Sequence, residues 1–200
     1  STLSPTKRGL EGREAMGGGM ISEHRAPPSG SGAADTLTDL LAQRYSCRAF
    51  LPDAVPRDAI ERILRLAQRT ASWCNAQPWQ VVLASGAATD RFREALIRHA
   101  LEHQAAPDFA FPREYRDAYL ARRRECGFQL YESVGIARGD RAAAQRQRLE
   151  NFRLFGAPHV AIVTTDEALG VYGAVDCGAY VGNFTLAARS LGVASVKLPT

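Results

Sequence analysis

The alternation of apolar and polar residues has helical spacing along most of the chain after residue 35. Apolar side chains recur three and four residues apart, which is the period of one face of a helix. Asp35 or Thr36 can cap the first helix, and Pro56 stands where proline is favoured, at the start of the second. The predicted helices cover residues 36–45, 88–104, 114–136, 140–155 and 171–191, with one more that follows Pro56 and includes Ala67.

The apolar faces of these helices are expected to be buried. The last helix, 171–191, is nearly uncharged and apolar most of the way round, so it should lie in the core or against a partner subunit. In the first three helices the expected inward residues are Leu37, Leu40, Leu41 and Tyr45, then Ile60, Ile63, Leu64 and Ala67, then Phe92, Leu96 and Leu101.

Short valine-rich runs at residues 78–85, 158–165 and 193–198 predict β-strands. Short strands separated by many helices are typical of the α+β class. Residues 1–34 are rich in glycine, serine and proline and show no apolar period, which indicates a disordered tail. The sequence therefore predicts one domain over residues 35–200.

Charge and cysteine content exclude several classes of function. The net charge of +4 comes from arginines that are scattered among acidic residues, so a nucleic-acid surface is not expected and an anionic ligand is. No stretch approaches the roughly 20 apolar residues that a membrane span needs. The four cysteines lie far apart, which favours free thiols in a reducing cytoplasm over disulfides or a metal site.

The first candidate motif is Arg44-Tyr45-Ser46-Cys47-Arg48-Ala49-Phe50. In an extended segment Arg44, Ser46 and Arg48 point to the same side. Two guanidinium groups and a hydroxyl on one side suit a phosphate. The alternative is a surface turn with two solvated arginines.

The second candidate motif, about 26 residues further on, is Ala71-Ser72-Trp73-Cys74-Asn75-Ala76-Gln77-Pro78-Trp79. Its serine, asparagine and glutamine stand at a helix-to-strand junction, where they can supply donors and acceptors to a planar heterocycle. Trp73 could cover such a ring. The alternative is a capped helix end with a buried tryptophan.

Together and in this order, the two motifs resemble the nitroreductase family of FMN enzymes, and their residues are most similar to those of the nitrobenzoate reductase branch. The segment from Asp176-Cys177-Gly178-Ala179-Tyr180 to Leu191-Gly192 is similar to the long central helix of that family and its exit. The resemblance covers residues 36–196. It implies a mostly antiparallel sheet surrounded by helices, and a homodimer built on the central helix.

The resemblance also implies roles for individual residues. Arg44 and Ser46, with Tyr45 between them, would hold the FMN phosphate, and Arg48 would reach the ribityl chain or the pyrimidine edge of the flavin. Ser72, Trp73 and Asn75 would meet the flavin from the other subunit. NADH or NADPH would reduce the flavin and a nitroaromatic or quinone-like compound would oxidise it, by a ping-pong hydride mechanism with no catalytic side chain.

A small aromatic substrate is expected beside the flavin. Arg124, in the run Arg122-Arg123-Arg124-Glu125, could hold the carboxylate of an aromatic acid, and the slot could be lined by Phe109, Phe111 or Tyr131. The alternative is a solvated basic helix face. His99 and His103 have a spacing that can bind metal, but a solvated or packed face is favoured and no metal is expected.

The chain stops at Val196-Lys197-Leu198-Pro199-Thr200, where members of the family typically continue across the dimer. The sequence is therefore interpreted as truncated at its C-terminus, which would weaken cofactor binding and the dimer. Two alternatives stay open. One keeps the fold and changes the reaction to quinone reduction, dehalogenation or flavin consumption. The other is a catalytically inactive, flavin-poor dimeric scaffold.

Overall fold

The computed structural model describes residues 31–198. Its regular elements are mostly helices, as the apolar pattern predicts. The helices are α1 (Ser31–Gln43), α2 (Arg57–Ala67), α3 (Ala87–Glu102), α4 (Asp117–Ser133), α5 (Arg141–Leu149) and α6 (Gly170–Ser190). The strands are β1 (Gln80–Ser85) and β2 (His159–Thr164), and single 3₁₀ turns cover Trp73–Asn75, Leu154–Gly156 and Glu167–Leu169.

The two strands form one antiparallel sheet, in which Gln80 pairs with Thr164 and Ser85 with His159. The α+β class is therefore confirmed, with helices in the majority. The third strand predicted at 193–198 is wrong. Ser195 makes only an isolated parallel bridge to Ser46, and the N–H of Val193 donates to the Ala188 carbonyl at the end of α6.

α6 is the centre of the core. Tyr180 stacks on Trp79 with ring centroids 5.0 Å apart, and burial raises the pKa of its phenol. Together with Ala67 of α2 these rings form one buried cluster. A second cluster, further along the same side of α6, consists of Ile63, Ala187 and Ala188. The side of α6 that carries these residues therefore holds α2 and the sheet.

Both ends of α6 are fixed by backbone requirements. Gly192 has a φ of +75°, and it and Val193 donate to the carbonyls of Arg189 and Ala188 in a Schellman motif. Near the other end, a Cβ on Gly173 would lie 2.8 Å from the Thr165 hydroxyl oxygen, so only glycine allows this approach of α6 to the chain after β2. Gly192 ends the helix as predicted.

The opposite side of α6 is exposed although it is apolar. Val175 is 64% exposed, and Ala179 and Asn183, on the face predicted for a partner, are exposed as well. α1 packs on α6, yet Leu37 and Leu41 keep about half of their surface in contact with solvent. These residues were predicted to be inward-facing, and within a single chain they are not buried.

Several predicted bounds need correction. Residues 31–34, predicted to belong to the tail, are helical, and the rest of that tail lies outside the described residues. α1 ends at Gln43, so Tyr45 is outside the helix. Leu101 is 65% exposed, because the contacts of Thr89 and Arg93 that hold α3 to the 153–158 segment come from its first half. Among residues 31–198, no helix is both long and apolar enough to span a membrane.

Candidate functional site

The cleft between the end of α1 and α6 is lined by two residues of the first predicted motif. Its volume is about 390 Å³. Arg44 and Ser46 line it, and Lys197 and Ser195 approach from the segment after α6. The helix contributes Gly178, Val181, Gly182, Asn183, Thr185 and Leu186. Two cations, several hydroxyl groups and no acidic side chain line this cleft, so its donor set suits an anion such as a phosphate.

The backbone around Ser46 positions these side chains. Cys47 is buried, and its N–H donates to the carbonyl of Ser195 at 3.1 Å. Ser46 and Arg48, on either side of Cys47, are exposed, and so are Tyr45 and Ala49. The Arg48 guanidinium lies 3.4 Å from the Ser46 carbonyl and, like Tyr45, is not among the residues that line the cleft.

The second predicted motif forms a strained turn between α2 and β1. Cys74, Asn75 and Gln77 have φ values of 49°, 54° and 46°, which non-glycine residues rarely adopt. The turn is held by hydrogen bonds, including one at 2.8 Å from the Gln77 N–H to the Ser72 hydroxyl. Strain of this kind persists where the surroundings over-determine it, often at ligand sites.

Trp73 is held to α6 by its backbone and by its ring. Its backbone N–H donates to the carboxylate of Asp176 at 3.1 Å, and the centroid of its indole lies 5.3 Å from that of the Tyr172 ring. Trp73 is 63% exposed in the single chain, whereas Trp79, the other tryptophan of this motif, is buried. Burial, and after it the Asp176 charge, raises the pKa of the neighbouring Cys177 thiol.

Both motifs therefore contact α6, at different positions along it. The second motif is fixed at Asp176 and the cleft extends from Gly178 to Leu186. At about 1.5 Å per residue the two attachments lie roughly 3–15 Å apart along the helix axis. The donors predicted for a phosphate, in the first motif, and those predicted for a ring, in the second, therefore lie along the same helix. Their separation in sequence did not reveal this.

The four residues predicted to bind substrate are not gathered into one pocket. Tyr131 lines a separate cavity of about 480 Å³ between α4 and α5, together with Phe128 and Arg138. Phe109 and Phe111 are exposed in the loop before α4, and Arg124 is exposed on α4 itself. The substrate slot stays a prediction.

Asp176 and Tyr172 are site residues that the sequence reasoning did not assign. The available signal was a single acidic residue within a helix that is otherwise nearly uncharged. Such a carboxylate must have a partner when buried, and here the partner is the Trp73 backbone. The pair His99 and His103 stacks at 4.3 Å, and the described part of the chain has no group of three or more side chains arranged to hold a metal ion.

Comparison with known proteins identifies the class. The model of the nitroreductase family matches residues 41–198, so the chain belongs to that family and is an oxidoreductase. The resemblance predicted from the two motifs is confirmed.

Individual relatives agree with this assignment. Nitroreductase NfnB of Mycolicibacterium smegmatis is 37% identical over 158 residues, covering 78% of this chain and 67% of its own length. A 4-nitrobenzoate reductase of Pseudomonas putida is 30% identical over 161 residues, covering 80% of this chain and 71% of its own. The crystal structure of the FMN-dependent nitroreductase NfnB from Mycobacterium smegmatis in complex with NADPH superposes with a TM-score of 0.78 at 34% identity, covering 82% and 74% of the two chains.

Proposed function

We propose that this protein is an FMN-dependent nitroreductase that uses NADH or NADPH to reduce nitroaromatic or quinone-like compounds. The observation that carries the proposal is the cleft in which Arg44, Ser46 and Lys197 meet without an acidic neighbour. The relatives named nitroreductase, and the structural neighbour described with FMN and NADPH, support it.

The first motif would hold the FMN phosphate. Arg44 can supply paired N–H donors, the Ser46 hydroxyl a third, and Lys197 a second positive charge. Gly178 and Gly182 leave open space where a Cβ would stand, so the ligand can approach the α6 backbone. Arg48, outside the cleft, would contact the ribityl chain or the pyrimidine edge, and Tyr45 would flank the site.

The second motif would hold the ring system. Ser72 and Asn75 would donate hydrogen bonds to its polar edge, while the exposed face of Trp73 would pack on the ring. When bound, FMN supplies the redox chemistry, accepting electrons from the nicotinamide and passing them to the second substrate in separate half-reactions. The protein's own part is to bind, orient and shield the ring.

A second copy of the chain would complete the site. The exposed apolar side of α6, with Val171, Tyr172, Val175 and Ala179, is the surface we assign to the homodimer. Exposed apolar residues that form one continuous helix face are typical of subunit interfaces. In such a dimer the ring-binding residues of one copy would serve the phosphate cleft of the other.

The substrate is proposed to be a small aromatic compound, with nitrobenzoate as the leading candidate because two relatives are named for that activity. Arg124 would bind the carboxylate, and Phe109, Phe111 and Tyr131 would line the slot.

One experiment tests the function. The protein is titrated with FMN, and NADH and NADPH oxidation is then followed with 4-nitrobenzoate, uncharged nitroaromatics and quinones. We expect a yellow complex and nitroaromatic-dependent oxidation. A protein that is colourless after incubation with FMN and removal of the unbound FMN would refute the proposal and support the scaffold alternative. A yellow protein that reduces only quinones would assign the other reaction.

A further inference from the structure

A chain of side-chain amides connects the core to the turn between α2 and β1 that holds the second motif, here called the ring-binding turn. The indole N–H of Trp79 donates to Oε1 of Gln68 at 2.9 Å. Nε2 of Gln68 donates to Oε1 of Gln77 at 2.9 Å, and Nε2 of Gln77 donates to Oδ1 of Asn75 at 2.8 Å. Asn75 is the last member, in the same turn as the exposed Trp73.

The direction of this chain is fixed at its buried end. An indole N–H can only donate, so Gln68 must present its oxygen to Trp79 and its NH₂ group to Gln77. Gln77 must then accept from Gln68 with its oxygen and donate with its NH₂ group to the oxygen of Asn75. Since Trp79 is buried and stacked on Tyr180, the orientation of its N–H is set by the core.

The chain fixes the orientation of the Asn75 amide. Its carbonyl oxygen is occupied by Gln77, and no acceptor within residues 31–198 contacts its NH₂ group. Asn75 is therefore held as a hydrogen-bond donor, whereas a free asparagine can rotate and offer either end.

We propose that Gln68 and Gln77 are positioning residues that fix Asn75 as a donor toward an acceptor atom of the flavin ring. This inference rests on the proposed function. A donor fixed in advance loses no rotational freedom when the ring binds, and it stabilises negative charge that develops on the ring during reduction. Gln68 and Gln77 would thus affect both FMN affinity and the reduction potential of bound FMN without touching the cofactor.

The sharpest test reverses the chain. In Gln68→Glu the carboxylate still accepts from Trp79 but cannot donate to Gln77. Gln77 then turns its NH₂ group toward residue 68 and accepts from Asn75, which presents its oxygen to the flavin. We expect FMN affinity to fall on the order of tenfold, as for one hydrogen bond lost, and the reduction potential to become more negative.

Two controls separate this effect from the added negative charge. Gln145→Glu adds the same charge on an exposed part of α5 and should leave the FMN dissociation constant unchanged. In an Asn75→Ala background, Gln68→Glu should have little further effect, because the residue through which the chain acts is gone. Gln77→Glu reverses the last step by the same logic and serves as a second variant if Gln68→Glu is poorly folded.

The outcomes are distinct. Equal dissociation constants for Gln68→Glu and Gln145→Glu would overturn the inference, as would an undiminished effect of Gln68→Glu in the Asn75→Ala background. Either result leaves the proposed function standing if the unmodified protein binds FMN. Failure of the unmodified protein to bind FMN would overturn both.

Discussion

Replacing Arg44 with alanine should weaken FMN binding far more than it weakens folding. Arg44 lines the phosphate-type cleft, and its side chain makes no hydrogen bond or ion pair within the described residues. Its removal therefore costs the fold little. For the ligand it removes paired charged donors, while Ser46 and Lys197 remain.

The size of the effect follows from the number of donors and their exposure. A charge-assisted hydrogen bond is worth roughly 1.5–3 kcal/mol, and about 1.4 kcal/mol corresponds to a tenfold change in affinity. Full loss of one such bond would give about tenfold to a hundredfold. Because Arg44 is exposed in the single chain, solvent screens the interaction, and we expect the lower part of that range, on the order of tenfold.

The assay is a titration of FMN against each variant by quenching of flavin fluorescence. Arg98→Ala is the matched control, since Arg98 is exposed on α3, which packs on β1, and its removal lowers the net charge by the same amount. Thermal unfolding without FMN should give equal midpoints for Arg44→Ala, Arg98→Ala and the unmodified protein. Equal dissociation constants for Arg44→Ala and Arg98→Ala would remove Arg44 from the site.

Three other outcomes are expected. Ala179→Arg should turn a dimer into a folded monomer in light scattering, because the proposed dimer would bury an unpaired charge on this side of α6. Ala121→Arg, on the exposed surface of α4, should leave the dimer intact. A dimeric Ala179→Arg variant would refute that interface. Cys74, exposed in the ring-binding turn, should react more slowly with a thiol reagent once FMN is bound, while Cys126 should not change; equal protection of both would argue against a ring there. Cys177 should react more slowly than Cys126 near neutral pH and accelerate at higher pH, since its raised pKa keeps it protonated; reaction at the Cys126 rate would contradict that shift.

The sequence was sufficient for the parts of the structure that depend on local pattern. The helical spacing predicts α6 nearly to the residue and the start of α2 after Pro56, and Gly192 ends α6 as expected. In the first motif Arg44, Ser46 and Arg48, predicted to share one side, are exposed and Cys47 is buried, although Tyr45 and Ala49 are exposed as well. These features depend on periodicity and on backbone preferences that each residue carries itself.

The missed parts depend on contacts between distant segments. A valine-rich run at 193–198 predicts a strand, but within the described residues only its Ser195 pairs with another segment, in an isolated bridge to Ser46. The left-handed backbone of Cys74 and Gln77 opposes their own preferences and costs about 1–3 kcal/mol each. Hydrogen bonds to Gln68 and Asp176 hold this turn. Both residues lie in other elements or segments, so no local sequence pattern predicts these bonds.

α6 gives the proposed cofactor site and the proposed dimer a common physical basis. One side of the helix is buried against α2 and the sheet, and its remaining surface carries both the cleft around Gly182 and the exposed apolar face around Val175. A ligand that contacts two copies of the chain can bind fully only to the dimer. By mass action such a ligand stabilises the dimer, and dimer formation raises its affinity by the same free energy. Cofactor binding and subunit association are therefore expected to be coupled through this one helix.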